Sequence, residues 1–373
     1  MVSTDILIVG AGIAGAGLAA ALADRRDVLL IEQEARPGHH STGRSAAIFI
    51  QNYGNAVIRA LSAASRPLFE EPDPDLFAAP LLSQRGILYV AAEDELADHE
   101  ALLGESDGLV PMSADEAVGM VPLLDPARIA AAAYERDASD IDVNGLHQGW
   151  LKKAKSAGAA LRVDAALLGA RRIGGKWQVE TSQGSVEANV IVNAAGAWAD
   201  TVAQACGLSP VGLTPMRRSI AVLPWPEGYE RAHWPLVASS GDRWYFKADA
   251  GRLLVSPADE DPVEPHDAFV DDMVLAEGLD RYQQAVRAEV THVEANWAGL
   301  RTFAPDRTPV VGFDQAGEGF FWLAGQGGYG IQTSPALSMV AAALLLKEAP
   351  PLGIDPVAMS PNRRTLRASD GSD

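Results

Sequence analysis

Asp5-Ile6-Leu7-Ile8-Val9 runs directly into Gly10-Ala11-Gly12-Ile13-Ala14-Gly15, and Val28-Leu29-Leu30-Ile31 then ends in Glu32. The order is strand, glycine turn, helix, second strand, with an acid about 20 residues beyond the second glycine. Each part has a physical task. Gly10 permits the tight turn, Gly12 lets backbone approach a pyrophosphate, and Gly15 lets helix pack on strand. The helix N-terminus presents free N–H groups and a positive dipole end to phosphates. Glu32 can accept hydrogen bonds from ribose hydroxyls. The pattern predicts a dinucleotide site in a Rossmann-type α/β unit.

The same stretch has two other readings. Residues 6–23 carry no charge, so a transmembrane helix or a secretory signal must be weighed. Asp5, the lack of a basic segment before it, the glycines inside the run and the closing Asp24-Arg25-Arg26 all speak against both. No transmembrane segment is expected, and a cytoplasmic location is the default. A net charge of −19 argues against nucleic acid as a partner. The single cysteine, Cys206, excludes an internal disulfide and a cysteine-rich metal site, and the seven histidines show no HxxxH or HExxH spacing. No metal is expected.

At 373 residues the chain suits two interleaved domains. Helices are expected over 55–70, 94–103, 113–120, 144–157 and 198–206, with another near 279–288. Val190-Ile191-Val192 feeds the small-residue turn Asn193-Ala194-Ala195-Gly196-Ala197-Trp198, so the strand-turn-helix grammar of the first unit resumes there. Residues 211–300 read as a mostly antiparallel layer. Phe320-Phe321-Trp322-Leu323-Ala324 then leads into a glycine-rich turn and a last helix over 331–346; the tail after Pro350 reads as loosely ordered. The fold expected is α/β: a Rossmann-type domain from 1–80, 141–210 and 301–373, with an interleaved α+β substrate domain from 81–140 and 211–300.

The fingerprint does not separate NAD from FAD. Its position at the extreme N-terminus, the second turn at 193–198 and the glycine-rich turn at 325–330 favour FAD, because the last would aim a helix N-terminus at an anionic reduced flavin. Beyond this, GHHSTGRSAA (38–47), APLLS (79–83), DIDVNGLHQG (140–149), VNAAGAWAD (192–200), RRS (217–219), WAGLR (297–301) and GGYGIQTS (327–334) occur in one order. On these blocks the chain resembles the FAD-dependent D-amino-acid oxidase and glycine oxidase superfamily over essentially its whole length. Within it the chain resembles the bacterial catabolic D-arginine dehydrogenases.

The resemblance implies a set of roles. Gly10, Gly12, Ala14 and Gly15 would hold the pyrophosphate, with Glu32 on the ribose. Arg44, Ser45 and Ala46 would line the flavin, and Leu167 would offer backbone to the adenine. Ala195, Gly196 and Trp198 would pack on the dinucleotide, while Gly328, Tyr329, Gly330, Ile331 and Gln332 would reach the flavin ring and ribityl chain. Arg218 and Arg301 match carboxylate-binding arginines, and Tyr53 and Tyr245 complete the clamp. A guanidinium fork fits a carboxylate bidentately, so such a clamp can set a substrate Cα–H over flavin N5.

Departures from the arginine-specific relatives are informative. Those relatives have a glutamate where this chain has Ile87, a histidine at Ile48 and a threonine at Ile50. Together with Gln332, these positions would border the substrate, and an apolar wall penalises an unpaired guanidinium by several kcal/mol. The activity expected is therefore oxidation of an apolar D-amino acid to the imino acid, then hydrolysis to 2-oxo acid and ammonia. Oxidation of a secondary amine (an N-methyl amino acid), of glycine or of a 2-hydroxy acid is the alternative, and a catalytically idle flavoprotein is the rival of another class. A different acid serving a basic substrate also stays open. FAD is expected to be noncovalent, since no cysteine lies near 301–303, although His39 and His40 are chemically able to attach it. The partners expected are a small amino-carboxylate substrate and an electron acceptor: a quinone, the respiratory chain or oxygen.

Overall fold

In the computed structural model, residues 2–230 and 232–366 are described. Ile6 to Val9 are buried on both faces, which a central parallel strand demands. The strand Val2–Val9 lies between Val28–Ile31 and Gly184–Asn193, both parallel to it. Ala160–Arg162 extends the sheet on one side. On the other, the strand Gly184–Asn193 changes neighbour along its length. Its first half pairs antiparallel with Lys176–Thr181, and Ile191–Asn193 pairs parallel with Phe320–Trp322.

The helix Ile13–Leu22 is buried nearly all round, which explains why its sequence looked like a membrane span. It packs with the helices Val143–Ser156 and Gly330–Leu346 on one face of this sheet. Leu18, Leu22, Phe321, Leu337 and Val340 share that core. Among the described residues no helix is long and apolar enough to cross a membrane. The helix Gly330–Leu346 contains Pro335, whose missing N–H leaves the Ile331 carbonyl without its partner four residues on. Ser334 Oγ donates to that carbonyl at 2.6 Å, and Ala336 N donates to Ser65 Oγ at 3.1 Å.

A second sheet runs in the order 326–327, 295–303, 214–224, 252–256, 245–249, 236–239, 87–91, 131–135, 110–112. Only the 236–239 and 87–91 neighbours are parallel. One face carries Leu88, Val90, Val237, Phe246 and Val255 into a core closed by the helix Asp272–Ala285. The alternate residues point the other way, toward the first sheet. A small third sheet joins Ile48–Phe49, Ser139–Ile141 and Leu82–Gln84.

Several expectations need correction. Asn55 and Ser113 are caps rather than first helical residues, accepting from Ile58 N and Glu116 N, as short polar side chains do at helix starts. The helix expected near 279–288 begins at Asp272, where Asp271 caps it. The strand Ala295–Phe303 belongs to the second sheet, so Arg301–Phe303 depart from the division that placed 301–373 with the first. Residues 82–84 and 139–140 lie in the third sheet rather than the second. The tail packs further than expected: Met359 is fully buried, and Arg363 pairs with Asp306 at 2.7 Å. The part of that tail from 367 to 373 lies outside the described residues.

Candidate active site

Two adjoining cavities of about 210 and 350 Å³ share Gly12, Ser41, Thr42, Ala194 and Gly196 in their walls. The smaller follows the glycine turn. Gly10 has φ +101°, and a Cβ there would lie 2.4 Å from the Ala194 carbonyl oxygen; no other residue type meets both conditions. Gly12 caps the helix Ile13–Leu22 without a side chain, and Thr42 Oγ1 accepts from Ile13 N at 3.0 Å. Glu32 is buried and accepts from Ala11 N at 2.9 Å and Glu34 N at 3.1 Å. His147 Nε2 donates to the Ala11 carbonyl at 2.8 Å. The Ala11 peptide is thus held on both sides, which fixes the turn before any ligand arrives. Burial lowers the His147 pKa from its ordinary value. Leu167, Ala195, Gly196 and Trp198 complete the wall, with the His40 ring 4.5 Å from Trp198.

The larger cavity is lined by the free face of the second sheet. Arg218 stands opposite Gly299 in the antiparallel register, and Arg301 is two residues further along. Both arginines therefore leave one face. Ile87 and Tyr89, Leu236 and Ala238, and Tyr245 line the same cavity from neighbouring strands, while Ser45, Ala46, Ile48, Ile50 and Tyr53 enter from the segment after the glycine turn. Arg301 Nη1 lies 3.4 Å from the Tyr53 hydroxyl. The Gly328 peptide packs on the guanidinium; a Cβ there would lie 3.1 Å from Arg301 Cζ. The Tyr53, Arg218, Tyr245 and Arg301 side chains, distant in sequence, meet in one cavity.

The structure also reassigns residues. Gly15 lines neither cavity; a Cβ there would meet the Gly10 carbonyl oxygen at 1.9 Å, which fits the packing role read from its spacing rather than the pyrophosphate contact that the resemblance implies. Ala14 faces the larger cavity rather than the phosphate turn. Tyr329 lines neither; it lies behind the Tyr53 ring, 4.7 Å away. Gln332 borders the larger cavity, but its amide is spent on Ile50 N, Ile50 O and Ser62 Oγ. Arg44 lines the larger cavity, with its guanidinium turned toward Asp267 and the Ala268 and Ala298 carbonyls. Gly330 and Ile331 line the larger cavity. His39, His40 and Asp267 bring ligand-type atoms within 4.8 Å, yet Asp267 is salt-bridged to Arg44, a cation where a metal would sit.

Sequence reading missed Thr42, His147, Tyr89 and Asp242. Tyr89 had a local signal in its alternation with Ile87 on a strand, and Thr42 and His147 sit inside the blocks at 38–47 and 140–149; Asp242 had none.

A profile of the FAD dependent oxidoreductase family matches residues 5–344, and the chain belongs to that family. Human mitochondrial dimethylglycine dehydrogenase is 26% identical over 390 residues, which cover 96% of this chain and 44% of that protein. The chain therefore spans under half the length of that relative. Glycine oxidase of Geobacillus kaustophilus is 23% identical over 376 residues, covering 95% of this chain and 96% of that one. The crystal structure of the same glycine oxidase superposes with a TM-score of 0.83 at 23% identity, covering 97% and 99% of the two chains. The structure of iminodiacetate oxidase from Chelativorans gives 0.79 at 23% identity, covering 95% and 98%.

FAD is the cofactor of this family, and the residues present fit it. The helix N-terminus at Gly12, the turn that excludes a Cβ at Gly10, the inward Glu32 and the continuity of the two cavities suit an elongated dinucleotide, which these residues would hold.

Proposed function

We propose that the protein oxidises an α-amino carboxylate, a D-amino acid with an apolar side chain, to the imino acid, which water converts to a 2-oxo acid and ammonia. The convergence of Tyr53, Arg218, Tyr245 and Arg301 beside Ile48, Ile50 and Ile87 carries this reading. The guanidinium and hydroxyl donors suit a carboxylate. The isoleucines offer no partner to a charged side chain, so burying one there costs several kcal/mol. Bound FAD supplies a two-electron acceptor for the hydride leaving the substrate Cα. The chain's own contribution is orientation: a carboxylate fixed at Arg301 and a side chain laid on the isoleucine wall leave the Cα–H one direction to face.

We read the FAD as noncovalent, and the placement of the histidines supports this. His39 and His40 line the smaller cavity, beside Glu32 and Leu167, and not the larger one where the ring system would lie. Cys206 is buried. A second reading, oxidation of a secondary or tertiary amine or of glycine, is favoured by the relatives named for dimethylglycine and glycine.

Anaerobic bleaching of the flavin absorbance decides between them. D-leucine, D-methionine and D-phenylalanine should bleach it faster than D-arginine, glycine, sarcosine or N,N-dimethylglycine. Preference for D-arginine would overturn the apolar wall, and bleaching by the N-methylated amines or glycine alone would establish the second reading. Bleaching by 2-hydroxy acids alone would remove amines from the function.

A further inference from the structure

Arg218 and Arg301 share a chemistry but not an availability. Arg218 Nη2 lies 3.1 Å from Glu260 Oε1 and 3.9 Å from Asp242 Oδ2, and Glu260 is itself held by Arg307 at 2.9 Å. The Arg218 Nε is buried with no partner. Arg301, by contrast, has no carboxylate within salt-bridge reach among the described residues, only the Tyr53 hydroxyl. One arginine of the clamp is already engaged; the other is open.

The acid that engages Arg218 from the cavity side is unusual. Asp242 lines the larger cavity, and its side chain is 62% exposed. Its carboxyl makes no hydrogen bond among the described residues. Its backbone has φ +50°, a region that Asp and Asn tolerate better than most residues. The turn is braced from behind: Ser239 Oγ donates to Glu95 at 2.7 Å, and His99 Nδ1 lies 2.8 Å from Ser240 Oγ. Burial raises the Asp242 pKa, while Arg218 and Arg301 oppose that shift.

Resting on the reading that an amino carboxylate occupies this cavity, we propose that Asp242 receives the substrate's ammonium group while Arg301 takes its carboxylate. Arg218 is then a supporting cation that holds Asp242 in place rather than an equal half of the clamp. An amino acid brings one charge of each sign, and the cavity offers one open partner for each. A 2-hydroxy acid presents no cation to Asp242. Nor does the 2-oxo acid product, whose loss of nitrogen leaves the carboxylate of Asp242 facing it and favours release. Asp242 thus selects amines and answers what handles the substrate nitrogen where Ile48 has no polar group.

The test uses flavin-loaded enzyme and a ligand pair differing only in the amine: D-leucine, followed by the concentration dependence of anaerobic bleaching, and 4-methylpentanoate, followed by perturbation of the flavin spectrum. Asp242→Asn keeps the shape and suits a positive φ; Asp242→Gly is the second variant should the first not hold flavin. Either should weaken D-leucine about thirtyfold and leave 4-methylpentanoate within about threefold, the size expected for one charge-assisted contact. Equal effects on both ligands, or none on D-leucine, would overturn the assignment. So would tighter 4-methylpentanoate binding with D-leucine unchanged, the signature of an acid that merely balances Arg218. If the wild type binds neither ligand, the underlying reading falls first and this one with it.

Discussion

The two ends of the cavity are built from different material. At the dinucleotide end the wall is mostly backbone: the Gly10 turn, the open N-terminus at Gly12 and the Ala11 peptide held by Glu32 and His147. At the substrate end it is side chains on the free face of a sheet, Arg218, Tyr245, Arg301 and Ile87, with Tyr53 and Asp242 arriving on loops. A wall of backbone fails where an added Cβ would meet another backbone, as at Gly10. A wall of side chains can be retuned one residue at a time, and its charges need not be equally available.

Substitutions at the two ends should therefore fail differently. The largest effect belongs to Gly10→Ala, where φ +101° and the Ala194 carbonyl leave no room. FAD affinity, read by titrating the flavin-free protein, should fall at least about a hundredfold; retention of wild-type affinity would break the contrast. Next comes Arg301→Met, which should lower kcat/KM about a thousandfold, since an open cation that pairs with substrate is worth about 4 kcal/mol. Arg218→Met, already engaged by Glu260, should cost about tenfold less than that, with flavin content unchanged in both. Equal losses would restore a symmetric clamp.

Ile87→Glu should raise the D-arginine to D-leucine ratio of kcat/KM about a hundredfold by giving a guanidinium a partner. An unchanged ratio would mean that this wall does not meet the substrate side chain.

The smallest effect is expected at His147→Gln. Losing a buried hydrogen bond costs about 1 kcal/mol and should lower Tm by about 2 °C. His147 is held neutral by burial, so its contribution is complete above the unfolded value of about 6.5 and declines as pH falls through it toward the lower folded value. Glutamine does not titrate, so the Tm gap between the two proteins should narrow from about pH 7.5 to about pH 5.5.

The legibility of the two ends differs for the same reason. The dinucleotide turn could be read because its signal is contiguous: Gly10, Gly12 and Gly15 fall in one short run and Glu32 follows the next strand, although the atom that excludes a Cβ at Gly10 belongs to distant Ala194. The resemblance brought Arg218, Arg301, Tyr53 and Tyr245 forward as a set. Residues alone would not have done so, because the set depends on the register that puts Gly299 opposite Arg218. Tyr329 lies behind the Tyr53 ring, and Gln332 spends its amide on neighbouring groups, for a related reason. A motif says which segment nears the cofactor, but not which way each side chain turns on a helix start.

From the sequence alone come the Rossmann-type unit, the FAD site, the family and the apolar character of three wall positions, because each is written in contiguous residues or residue types. Tertiary structure alone decided which arginine is free, that Asp242 enters the cavity, that His147 fixes the Ala11 peptide and that Arg363 ties the tail to Asp306. Those contacts join segments tens to hundreds of residues apart. Such pairings arise only when strand register and burial bring charges together and remove the water that would otherwise satisfy them.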